Sequence, residues 1–142
     1  TRVLYTSQGG YDTHASQVSV QTPLLSDLSA GIGDFFADLS EHDAADNVMM
    51  LVFTEFGRRV KDNGSGSDHG SGGGCYLIGQ PVKGGTLGDY PSLKEEDQLD
   101  GDLLFNVDFR SVYSTIVDKW LGLDAQTAIG GNYETLDFVR SN

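Results

Sequence analysis

Val48-Met49-Met50-Leu51-Val52-Phe53, followed by Thr54-Glu55-Phe56-Gly57-Arg58-Arg59 and the glycine-rich run DNGSGSDHGSGGG from Asp62 to Gly74, is the stretch on which the fold turns. A continuous apolar run has the pattern of a strand buried on both faces, the kind found inside parallel sheets. Glu55 stands at the carboxyl end of that run, where a carboxylate needs a cation, a cluster of donors or solvent. Arg58 and Arg59 follow, and an ion pair from Glu55 to either of them competes with a functional role. Asp68 and His69 then stand in a loop with no long apolar side chain to pack it down. A metal ion, a bound anion or a hydrogen-bond network is expected to order that loop.

Upstream, Arg2-Val3-Leu4-Tyr5-Thr6 reads as a short strand ended by Ser7-Gln8-Gly9-Gly10, with Asp12 and His14 directly after it. Thr22 fits a helix N-cap, with Pro23 at the first helical position. From there Leu24, Leu25, Leu28, Ile32, Phe35, Phe36 and Leu39 recur at helical spacing through about Ser40. Strand, helix and buried strand in that order make a βαβ unit with parallel strands. Such a unit places Asp12, His14 and Glu55 at one sheet edge, beyond the carboxyl ends of the strands, where open parallel sheets bind ligands. The predicted class is therefore α/β, a mostly parallel sheet with flanking helices.

Downstream, Cys75-Tyr76-Leu77-Ile78 reads as a third strand, with Cys75 as a small buried residue. Lys83 to Asp102 is a polar excursion. Asp108 caps a second helix, whose apolar face is Phe109, Val112, Tyr113, Ile116, Val117, Trp120 and Leu121, and Gly122 stops it. The segment from Ala125 to Asn142 has little pattern. No internal repeat or long linker divides the 142 residues, which suit one domain with one modest core.

A net charge of −12 and a pI near 4.3 exclude a nucleic-acid partner of the usual kind, which needs a basic face, and suit cation binding. No run is long enough for a membrane span and no signal peptide is visible. One cysteine excludes an internal disulfide framework and a cysteine-rich zinc site. The loop lacks the Gly-Lys-Ser/Thr ending of a phosphate-binding loop, and neither a G-x-S-x-G elbow nor an H-E-x-x-H helix occurs. What remains is carboxylate and imidazole. Asp12-Thr13-His14 places two such groups on one side of extended backbone, and Asp68-His69 offers the same pair again.

The motifs Gly10-Tyr11-Asp12-Thr13-His14, Phe53-Thr54-Glu55-Phe56-Gly57-Arg58, Ser67-Asp68-His69-Gly70, Lys83-Gly84-Gly85 and Asp108-Phe109-Arg110-Ser111-Val112-Tyr113 together resemble the carboxyl-terminal part of a sulfatase-like family of bacterial exported proteins. That family is similar to the alkaline phosphatases and sulfatases. The resemblance implies a partial alkaline-phosphatase-like fold, an exported or periplasmic location, and a site of one or two divalent metals, zinc, manganese or calcium. By that analogy Asp12 and His14 serve a metal, Glu55, Asp68 and His69 complete the site, and the nucleophile-bearing part is missing. The leading expectation is a metal-dependent hydrolase for phosphate or sulfate esters, small anionic substrates, with Glu55 at the chemistry and Arg58 as the anion clamp. The alternative is a non-catalytic metal-binding or interaction module. An unpaired sheet edge would favour association of copies.

Overall fold

Residues Met50–Val52 of the apolar run form strand β1, and they pair antiparallel with β4, Tyr76–Ile78, in the register Met50↔Ile78, Leu51↔Leu77 and Val52↔Tyr76. The computed structural model describes residues 1–140, so Ser141 and Asn142, the end of the predicted tail, lie outside the described residues. A second two-stranded sheet is the antiparallel hairpin of β2, Gly57–Asp62, and β3, Ser67–Gly70. The parallel, alkaline-phosphatase-like sheet expected from sequence is therefore wrong: the fold is a small α/β domain with two short antiparallel sheets.

The error has a physical cause. A βαβ unit needs a first strand, and Arg2–Thr6 is exposed and belongs to no ladder among the described residues. Strand propensity in residues 2–6 supplies no partner, and a strand exists only through pairing. β1 is likewise half-buried, with Phe53 beyond it exposed. Cys75, expected to be buried, is exposed.

Helix α1, Gln17–Glu41, starts earlier than Thr22 and Pro23 suggest. Ser16, in the left-handed region at φ 53°, turns the chain into it. The Gln17 side chain donates to the Thr13 carbonyl at 2.8 Å and Gln21 donates to Thr13 Oγ1 at 2.9 Å, so the first turn is fastened to the segment before it. Pro23 thus lies inside the helix, where its missing N–H forgoes one helical bond. Leu24, Leu28, Ile32, Phe36 and Leu39 form a half-buried stripe, as their spacing predicts, but Leu25 and Phe35 of the predicted face are exposed and no α1 residue is fully buried among the described residues.

The core is thin and lies at the carboxyl-terminal end. Asp108 caps α2, Phe109–Thr115, by accepting from the Arg110 N–H at 2.8 Å, and the helix runs on through a π-helical turn, Ile116–Trp120. Asp124 caps α3, Ala125–Ile129, in the same way at 3.1 Å. Val112 and Phe138 are the buried apolar residues among those described, beside buried Ser111, Ser114 and Thr115. Phe138 is held where the chain bridges Val82 to Val139, with the Lys83 N–H donating to the Phe138 carbonyl at 2.7 Å. The accessible surface is 10036 Å², against about 7,100 Å² for a compact monomer of this mass. Polar anchoring must therefore carry much of the tertiary order.

Thr115 shows that anchoring. Its hydroxyl donates to the Ser111 carbonyl at 2.6 Å and accepts from the Leu136 N–H at 2.8 Å, tying α2 to the tail. Ser114 Oγ, equally buried, finds no partner among the described residues. Thr115→Val is expected to cost about 1–3 kcal/mol in urea unfolding, because it strands a part-buried N–H. Ser114→Ala is expected to be neutral or stabilising, since it removes a hydroxyl already unpaired.

The two caps also set an acid response. Hydrogen bonding to the Arg110 side chain holds the Asp108 carboxyl below its ordinary range, and the Thr127 hydroxyl does the same for Asp124. A carboxyl lowered in the folded state contributes stability that is complete above the unfolded value, about 3.9, and is lost as pH falls through the folded one. Exchange protection of the Arg110 and Gln126 amides should therefore fall on acidification below about pH 4, and Asp108→Asn with Asp124→Asn should flatten that profile.

Candidate metal centre

The hairpin positions the site. Its loop is closed by Asn63, whose Oδ1 accepts from the N–H groups of Ser65 at 3.0 Å and Gly66 at 2.8 Å. Asp62 Oδ1 accepts from the Gly64 N–H at 2.6 Å. These are the side-chain turns that asparagine and aspartate form with their own backbone two residues on. Beyond the loop, the pairing of Arg58 with His69 sets the register, with a bulge between Arg58 and Asp62.

The segment before α1 lies along this hairpin. Arg58 donates to the Ser67 carbonyl at 2.8 Å and to the Tyr11 carbonyl at 2.9 Å. The His14 carbonyl accepts from Asn63 Nδ2 at 3.2 Å, and the Ser16 N–H donates to the Ser65 carbonyl at 3.3 Å. Gly66 allows this approach, and Gly57 allows that of β2 to Gly72, after β3. A Cβ on Gly66 would stand 2.7 Å from the His14 carbonyl oxygen, and one on Gly57 would stand 1.8 Å from that of Gly72. Glycine serves here for closeness of backbones rather than for flexibility.

Three side chains then converge. Asp12 Oδ1 lies 2.7 Å from His69 Nε2 and 3.3 Å from His14 Nε2. One donor atom from each of the three residues lies within 4.8 Å of the others. The His14 and His69 rings stack at 4.7 Å, and Phe56 lies flat against the other side of His69 at 3.8 Å and 8°. Asp12 and His14 are exposed, and His69 is half-buried, so the cluster opens to solvent. Hydrogen bonding to His69 lowers the Asp12 carboxyl below its ordinary range, with the charge of His69 and His14 adding to it. Asp68 is lowered first by its bond from Asn63 and then by His14.

The remaining predicted residues fall elsewhere. Glu55 lies in an exposed bend after β1, outside the three-residue group and without an ion pair among the described residues. Its expected burial came from reading Val48–Phe53 as a two-face-buried strand. Arg58 spends its two terminal nitrogens on backbone carbonyls and lies over Phe56 at 5.2 Å, so it braces the hairpin. Asp68 contacts the far nitrogen of His14, Nδ1, at 3.0 Å. Asn63 and Phe56 were not singled out from sequence. The Asn-Gly step after Arg-Arg-Val-Lys-Asp is the hairpin signal that points to Asn63.

Fold and site together define a small α/β domain with an open Asp/His/His cluster whose donor atoms could hold a divalent cation. The family described as "Protein of unknown function (DUF1501)" matches residues 1–135, and the chain belongs to that family. No curated protein and no solved structure matches it. This corrects the sulfatase-like resemblance. The chain's family is one of unknown function, and the antiparallel sheets are not an alkaline-phosphatase core, so placement in that superfamily and the hydrolase label both fall.

Gly66→Ala is expected to push the His14 segment off the hairpin. Nuclear Overhauser contacts between the His14 and His69 rings should weaken, while those of Val112 and Phe138 persist.

Proposed function

We propose that this domain is a divalent-metal-binding module whose ligands are Asp12, His14 and His69. The observation that carries the reading is the convergence of one carboxylate oxygen and two imidazole nitrogens within 4.8 Å. In a tetrahedral zinc site, neighbouring ligand atoms stand about 3.3 Å apart, given bonds of about 2.0 Å. The His14 to Asp12 separation of 3.3 Å already meets that spacing. The His69 to Asp12 contact at 2.7 Å needs to open by about 0.6 Å. Three protein ligands leave a further position for water or a small exogenous ligand.

The donor set also discriminates among zinc, manganese and calcium. Calcium takes six to eight oxygen ligands, whereas imidazole suits zinc and other transition metals. Zinc or manganese is therefore the expected occupant, with calcium the poorest of the three. Metal binding ties the segment before α1 to the hairpin, and so raises the stability of a domain with little core. At zinc concentrations 100-fold above Kd the gain is about 2.7 kcal/mol.

Titration calorimetry and thermal melts test this. Zinc should bind at one equivalent and raise Tm, and chelator should reverse the effect. His14→Ala, His69→Ala or Asp12→Ala should each abolish the zinc-dependent shift, and calcium should give none in the wild type. A zinc response that survives His69→Ala would end the reading.

A further inference from the structure

His14 is held between two carboxylates. Asp68 Oδ1 lies 3.0 Å from its Nδ1, and Asp12 Oδ1 lies 3.3 Å from its Nε2. A neutral imidazole has one N–H to give, and whichever carboxylate takes it leaves the other nitrogen with a free lone pair. The two acceptors are not equally placed. Asp68 is the closer, and Asn63 fixes it, with Nδ2 donating to Asp68 Oδ1 at 2.9 Å and to the His14 carbonyl at 3.2 Å. Asn63 is itself anchored by the loop N–H groups of Ser65 and Gly66. Asp12 Oδ1 likewise has a partner already, the nitrogen of His69 at 2.7 Å, so the shorter distance and the Asn63 anchor favour Asp68.

We infer that Asp68 is a positioning residue that holds His14 as the Nδ1–H tautomer and turns its Nε2 lone pair toward Asp12 and the metal position. The consequence for metal binding rests on the function proposed above; the orientation of His14 does not. An imidazole that gives its second N–H to a carboxylate is fixed in direction and is a more basic ligand. Asp68 and His69 are adjacent in sequence yet act on different sides of the cluster. β3 alternates its side chains, so His69 reaches Asp12 directly while Asp68 acts through His14.

The test pairs two readouts on wild type, Asp68→Ala and Asp68→Asn. Imidazole ¹⁵N shifts of metal-free protein at about pH 8, above the usual imidazole range, report the tautomer. Wild type should show the Nδ1–H form of His14, and Asp68→Asn, which keeps a carbonyl acceptor, should largely retain it. Asp68→Ala should move His14 toward the Nε2–H form with His69 unchanged, and should weaken zinc binding about 10- to 100-fold. An unchanged His14 tautomer in Asp68→Ala would overturn the inference. So would loss of zinc binding as complete as in His14→Ala, because Asp68 would then be a ligand itself. If wild type takes up no zinc while the His14 tautomer still follows Asp68, the inference stands and the metal reading fails.

Discussion

The Arg58 guanidinium is the contact on which the arrangement depends. Its two terminal nitrogens bridge the Ser67 carbonyl of β3 and the Tyr11 carbonyl of the segment before α1. Among the described residues that segment has no ladder of its own, so its backbone groups must find partners elsewhere. A planar fork of donors can hold two carbonyls in fixed relation, which a lysine ammonium does less well. Asn63 repeats the device a few residues on, between the His14 carbonyl and Asp68. Asp12 and His14 are thereby brought against His69 although 57 and 55 positions separate them from it in sequence.

Such bracing compensates for a thin core. With Val112 and Phe138 as the buried apolar residues among those described, hydrophobic burial fixes the α2 end more firmly than the site. The hairpin end is held by Asx turns, glycine contacts and ring stacking of Phe56 on His69. Each such polar contact contributes about 1 kcal/mol net or less, so a region built this way is the one whose order a bound cation would change most.

The legibility of the sequence followed from how local each signal was. The α1 stripe, the Asp108 cap and the residues of the second helix could be read because helical spacing and capping act within a few residues. The chemistry of Asp12, His14, Asp68 and His69 was also visible as carboxylate near imidazole, although His42, between Glu41 and Asp43 at the end of α1, has the same composition. Sheet topology was not visible. Val48–Phe53 has the composition of a central parallel strand, yet pairing is a long-range choice, and here β4 returns antiparallel. Burial of Glu55 was inferred from that strand and was lost with it. The glycine run gives in sequence only a loop that a metal, an anion or hydrogen bonds must order, because composition alone does not separate flexibility from close approach. The contacts of Gly57 and Gly66 decide for close approach.

The most direct test of the central claim is zinc K-edge X-ray absorption on protein loaded with one equivalent of zinc. Ligation by Asp12, His14 and His69 gives a first shell of nitrogen and oxygen at about 2.0–2.1 Å with the multiple-scattering signature of two imidazole rings. A shell of oxygen alone, or a sulfur contribution at about 2.3 Å from Cys75, would contradict it.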